Sequence, residues 1–264
     1  MKHEDFYVLL GQTWDIIGPV NMTLINWGSG AGCGNFGYRH PMFRMDRYFH
    51  RENGRWALQG SISSANTASL SGNVLGTYIG KMGRVPDLTV RLERSFKKFG
   101  PWDSAAFGLA GRYAEKEYVL SPSQHFDRES WTVCGDWVIR FNKRCFLSGE
   151  CYYGELCAGQ AASIFQDVNP YTLQSVGTTG GWLALSYQMT KKLTVTGGYS
   201  IDDPWNSRMS EGMRSQATIA YANATYEFTK LFSLGFEYGY YTTEYYEQGT
   251  ADSNHLTFVL NYRL

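Results

Sequence analysis

Apolar and polar residues alternate with a period of two along most of this chain. Trp56, Leu58, Gly60 and Ile62 alternate with Ala57, Gln59, Ser61 and Ser63, and Leu88, Val90 and Leu92 alternate with Thr89, Arg91 and Glu93. Trp131, Val133, Gly135, Trp137 and Ile139 oppose Thr132, Cys134, Asp136 and Arg140. The same pattern holds at 193–202, at 232–240 and at 255–264, where Leu256, Phe258, Leu260, Tyr262 and Leu264 form the apolar row. Side chains on a pleated strand point alternately to opposite faces, so each run predicts a strand with one apolar and one polar row. Less regular candidates lie near 5–15, 38–49, 103–119, 144–155, 180–189 and 213–228, which brings the prediction to about a dozen strands.

Turn residues divide the runs. Asn53-Gly54, Asn142-Lys143, Lys191-Lys192 and Thr229-Lys230 are short links between strands. Longer connections, richer in Gly, Ser, Asn and Pro, are predicted at 18–36, 64–83, 120–127, 156–179 and 202–213. Tight turns on one side and long loops on the other are the asymmetry of a bacterial outer-membrane barrel. No linker or shift of composition interrupts the 264 residues, so residues 1–264 are expected to form a single all-β domain, an antiparallel transmembrane β-barrel.

Composition narrows the function. The 24 basic and 24 acidic side chains cancel, which removes the cationic excess that nucleic-acid binding normally needs. No apolar stretch approaches the roughly 20 residues of a membrane helix. Aromatic residues make up 16% of the chain and there are 29 glycines, while the mean hydropathy is negative. Strands that are only half apolar give that combination. Met1 to Asp5 runs directly into a strand pattern, with no signal-peptide core before it.

Periodicity leaves open which row faces inward. Strand number decides: a barrel of a dozen or more strands is too wide for side chains to fill, so its polar row lines water and its apolar row meets lipid. The candidate pore-lining residues are then Arg44, Asp46, Arg91, Glu93, Asp136, Arg140, Glu150 and Glu237. Arg44 with Asp46, Arg91 with Glu93, and Asp136 with Arg140 share faces. In a lumen, such mixed charges set a transverse field that sorts solutes; the plainer reading is that they only solvate the wall and pair with neighbours.

Several short motifs extend this picture. Gly11-Gln12-Thr13-Trp14-Asp15, Gly34-Asn35-Phe36-Gly37-Tyr38-Arg39-His40-Pro41 with Phe43-Arg44-Met45 behind it, Gly149-Glu150-Cys151-Tyr152-Tyr153-Gly154, Gly180-Gly181-Trp182, and Gly197-Gly198-Tyr199-Ser200-Ile201-Asp202-Asp203-Pro204 occur in that order. Together they resemble outer-membrane porins of the DcaP-like type and related diderm porins, over most of the chain. The resemblance implies a general-diffusion or small-anion channel, usually trimeric, in the outer membrane. Against that pattern the first strands look absent and the last residue is Leu264 rather than an aromatic. The expectation is therefore an N-terminally incomplete barrel, about 12 strands of one with about 16.

The segment 156–179 is a candidate constriction loop carrying Gln160, Gln166, Asp167 and Asn169; the alternative is an outer loop. Asp202-Asp203-Pro204 reads as a cation site or, more simply, as a turn initiator. The basic run Arg39, His40, Arg44, Arg47, His50 and Arg51 could face phosphorylated lipid or anionic solutes, or could merely alternate between wall and interface. Cys33, Cys134, Cys145, Cys151 and Cys157 form no metal-ligand spacing and are expected to pack as small apolar residues. No catalytic motif is present. The expected function is a porin, a water-filled channel for small hydrophilic solutes, with no cofactor or metal and with membrane lipid, lipopolysaccharide and copies of itself in a homotrimer as partners. A plugged structural or adhesive barrel is the alternative, and a barrel enzyme a more distant one.

Overall fold

The structure, a computed structural model, describes residues 2–3, 5–64, 80–82, 85–121 and 123–262. Most of the expected connection 64–83, together with Leu264, lies outside them. The strands are β1 (Lys2–His3), β2 (Phe6–Trp14), β3 (Arg39–Arg51), β4 (Gly54–Ser63), β5 (Gly80–Met82), β6 (Asp87–Phe96), β7 (Ser104–Ser121) and β8 (Gln124–Arg140), then β9 (Cys145–Glu155), β10 (Gly177–Gln188), β11 (Leu193–Pro204), β12 (Arg214–Glu227), β13 (Phe232–Tyr245) and β14 (Gly249–Tyr262). They form one antiparallel sheet in which sequence neighbours pair, except that β4 pairs with β6 and the three-residue β5 pairs with the far end of β7. Twelve of these strands are nine residues or longer, which matches the dozen predicted. Among the described residues β14 pairs only with β13, so the sheet does not close.

The alternation resolves into faces of opposite character. On β4, Ala57, Gln59, Ser61 and Ser63 are buried while Leu58 and Ile62 are exposed. Leu109 on β7 is 61% exposed, whereas Arg112 on the other face is 4% exposed. The sheet is thus polar on its covered side and apolar on its bare side, the reverse of a soluble barrel.

What covers the polar face is the chain itself, and this also shows that the face is concave. Gln160 bonds to Asp87 on β6, and Ile164 bonds to Asp202 on β11. Phe36, three residues before β3, donates its N–H to Glu150 on β9. Three residues of chain plus an extended glutamate side chain span at most about 20 Å, yet strands five places apart in a flat sheet, as β3 and β9 are, lie about 24 Å apart. The sheet must curl around these segments.

Aromatic rings ring the outer face at both ends. Phe96, Phe99, Phe107, Trp102 and Phe141 pack ring against ring near the short turns. Trp131, Tyr153 and Trp205 do so at the long-loop end. Within the expected long connection 120–127, β7 runs on to Ser121 and β8 begins at Gln124. Tyr118 and Phe126 stack with centroids 5.4 Å apart, and this contact carries pairing on to Ser121 and Gln124.

Candidate channel interior

Three charged ladders cross the inner wall. Arg91 on β6 donates from Nε and Nη2 to the two carboxylate oxygens of Asp136 on β8, at 3.1 and 2.7 Å. Its Nη1 donates to Gln59 on β4 and to Glu93. In the second ladder, Arg112 on β7 forms an ion pair with Asp87 and bonds to Ser130 on β8. The third joins Lys116 and Tyr118 on β7 to Asp167, at 3.1 and 3.0 Å. Arg91, Asp136, Asp87, Arg112, Lys116 and Asp167 are all buried. A buried charge without a partner costs several kcal/mol, so each ladder holds its members in one arrangement.

Two segments, 15–38 and 156–176, sit against these ladders. In 15–38, the backbone N–H groups of Ile25 and Asn26 donate to the Glu237 carboxylate of β13. Asn223 donates to Glu237 and to the Thr23 carbonyl. The N–H of Phe36 donates to Glu150 of β9 at 2.7 Å. At the base of the segment, Asp15 accepts from Tyr38 and lies 2.7 Å from the His40 ring. In 156–176, Asp167 accepts the N–H of Ala158, and Asp202 accepts the N–H of Ile164 and the Thr178 hydroxyl. The Gln166 side chain bonds to both backbone groups of Arg214, and Asn169 donates to the Arg208 carbonyl and to Ser210. The segments join each other through Gly32 to Ala161 and Gly37 to Gln160. Carboxylates that accept backbone N–H groups take the place of the ladder that irregular backbone lacks.

Apolar contacts complete the attachment. Met22, Leu24, Cys33 and Ile164 pack on Trp182, Ala184, Ala217, Ile219 and Tyr221 of the wall. Ile17, Phe36, Cys157 and Ala162 pack on Ala110, Cys134 and Tyr152. Within 156–176, Leu156, Ala161, Ser163, Ile164, Phe165 and Leu173 all have positive φ. Only a few per cent of non-glycine residues adopt this conformation, about 1–3 kcal/mol above the ordinary regions, and Ile164 is β-branched, which makes it costlier still. All five cysteines are free; burial pushes the Cys33 thiol up to about 12 and the Cys157 thiol up to about 11.

The expected site residues fall as follows. Asp46, Arg91, Asp136, Glu150 and Glu237 are buried on the inner face, and Arg44 and Glu93 are partly buried there. Arg44 forms a bidentate pair with Asp46 at 2.8 Å. Asp136 does not pair with Arg140. Its carboxylate is taken by Arg91, and Arg140 is exposed at the short-turn end with its guanidinium over the Phe146 ring. Gln160, Gln166, Asp167 and Asn169 are all buried against the wall. Asp202 serves as an anchor for 156–176, and among the described residues no cluster has the make-up of a metal site. The basic run splits between faces: Arg39, Arg47 and Arg51 lie outward, while His40, Arg44 and His50 lie inward. Sequence reasoning passed over Asp15, Asp87, Arg112, Lys116 and Asn223. The signal for Arg112 and Lys116 was their even spacing in 103–119, where the small residues Gly108, Ala110 and Ala114 dilute the polar row.

No protein-family model and no curated protein matches the chain. Solved structures do. The outer-membrane channel DcaP of Acinetobacter baumannii superposes with a TM-score of 0.77 at 15% identity, over 97% of this chain and 71% of that one. A loop-deletion form of OmpT, an outer-membrane protein of Vibrio cholerae, gives 0.53 at 12% identity, over 99% of this chain and 76% of that one. The chain therefore has the all-β, porin-like fold of outer-membrane barrels.

Proposed function

We propose that the chain forms the wall and the constriction of an outer-membrane channel in a diderm bacterium, through which small hydrophilic solutes diffuse passively. The inversion of its faces carries this reading: an apolar exterior is favourable in lipid, and buried ion-pair ladders belong to a wall that faces a polar interior. The spacing of the aromatic bands supports it. Trp131 and Phe141 are ten residues apart, about 34 Å along a strand and about 26 Å at a tilt of about 40°, close to the apolar height of membrane barrels.

In this reading 156–176 and 15–38 narrow the lumen. Gln160, Gln166, Asp167 and Asn169 fasten the constriction, and Arg44, Asp46, Arg91, Glu93, Glu150 and Glu237 set its inner charge. The exterior meets membrane lipid and lipopolysaccharide, and copies of the chain assemble as a trimer. Solutes are moved without chemistry, so no residue is assigned a catalytic role. Recording from the purified protein in planar bilayers tests the proposal: stable ohmic steps are expected, and their absence removes the channel.

The two apolar clusters between the inserted segments and the wall favour a second reading, a plugged barrel. A plugged barrel gives no steps in the same recording, even when the segments are loosened by substitution.

A further inference from the structure

The apolar exterior is notched over Gly60. Gly60 on β4 lies in register with Met45 and Val90, and a Cβ built there would meet nothing within 4 Å. Phe6, Met45, Leu58 and Val90 wall a groove of about 270 Å³ over this glycine, and Arg47 borders it. The Arg47 guanidinium turns toward the short-turn end and lies 5.7 Å from the Phe49 ring centroid. Further along in that direction, Arg94 sits between Trp56 and Phe96, with its guanidinium 5.2 and 4.6 Å from the two centroids. One nitrogen of Arg94, Nη1, is enclosed and has no hydrogen-bond partner.

The outward rows of β3, β4 and β6 hold Arg39, Arg47, Arg51 and Arg94 and no acidic residue. Cations on an apolar surface, beside an apolar groove, suit an amphiphile with an anionic head. Outward-facing residues on one strand are about 7 Å apart, which puts the Arg94 level about 13 Å from the groove floor. Arg47 and Arg94 are two strands and one outward position apart, about 12 Å between backbones. Their long side chains can therefore reach one phosphate from either side while its acyl chain lies over Gly60. Short turns mark the periplasmic side of such barrels, where the leaflet is glycerophospholipid.

We propose that this groove binds an anionic glycerophospholipid, with its phosphate at Arg47 and Arg94 and one acyl chain over Gly60. The proposal rests on the reading of the bare face as lipid-facing, but not on conduction. Native mass spectrometry of the detergent-solubilised chain tests it, with phosphatidylglycerol, phosphatidylcholine or lipopolysaccharide added and with heat-modifiability checked for every variant. Phosphatidylglycerol is expected to be retained over phosphatidylcholine. Arg47→Gln and Arg94→Gln should each weaken it about fivefold, the effect of about 1 kcal/mol per cation near anionic lipid. Gly60→Leu, which fills the groove, should remove it while the variant still folds.

Equal retention of the two phospholipids overturns the proposal, as does retention of lipopolysaccharide alone. If Gly60→Leu keeps the lipid and lowers the oligomer mass, the groove belongs to a second copy of the chain. A protein that needs no detergent to stay soluble fails the lipid-facing reading itself, and one that binds lipid but does not conduct fails only the channel.

Discussion

Arg91 and Asp136 form a bidentate ion pair although their strands, β6 and β8, never touch. The strand between them carries Gly108 at the crossing point. A Cβ there would lie 2.3 Å from both Arg91 Nη2 and Asp136 Oδ2. The missing side chain is what lets the guanidinium reach across β7.

Gly108→Ala should therefore break the ladder by geometry, with both charges left in place. A separated buried pair costs about 3–5 kcal/mol. Gly111→Ala, three residues away, meets no atom within 4 Å and should change stability by less than about 0.5 kcal/mol. Urea unfolding in detergent micelles measures both, and equal midpoints would remove Gly108 from the account.

Glu237 holds 15–38 against β13 through two backbone N–H groups. Glu237→Gln keeps the shape but loses the charge, at a cost of about 1.5–3 kcal/mol for hydrogen bonds to an ionised group. Single-channel conductance should rise and flicker as the segment loosens. An unchanged trace would mean that 15–38 does not restrict the current.

Leu256 and Thr257 are neighbours on β14 with opposite directions: Leu256 pairs with the outward Tyr238, and Thr257 with the inward Glu237. An outward arginine near the membrane midplane costs about 2–4 kcal/mol. Leu256→Arg should thus lower folding yield in liposomes far more than Thr257→Arg. Similar yields would contradict the orientation of the sheet.

The Cys33 and Cys157 thiols are raised by burial to about 12 and about 11, from 9.0. Both should resist a water-soluble maleimide at pH 8 in the folded protein and react in urea. Because the folded state holds these protons more tightly, their contribution to stability is complete below pH 9 and is lost as pH rises toward 11 to 12. The urea midpoint should accordingly be flat from pH 7 to 9 and fall above it. Replacing Cys157 with Ala should flatten that fall; labelling of folded Cys33 at pH 8 would show that the segment opens.

Much of the fold was legible in the sequence, because alternation and turn chemistry are local. Leu88, Val90 and Leu92 opposite Thr89, Arg91 and Glu93 define two rows whatever the rest of the chain does. Asn53-Gly54 and Asn142-Lys143 mark short links by backbone preference alone. Strand number and the inverted faces follow from those rows.

Only the tertiary structure decided what meets across the interior. Asp136 was expected to work with Arg140, two places along the same row, but it pairs with Arg91 because curvature and Gly108 bring them within reach. The inward fold of 15–38 and 156–176 likewise depends on Glu237, Glu150 and Asp202, which lie far from their partners in sequence. A period-two pattern specifies which way a side chain points, since that is set by one residue's backbone. Which group it finds there depends on how the whole sheet bends, and that is a property no local pattern encodes.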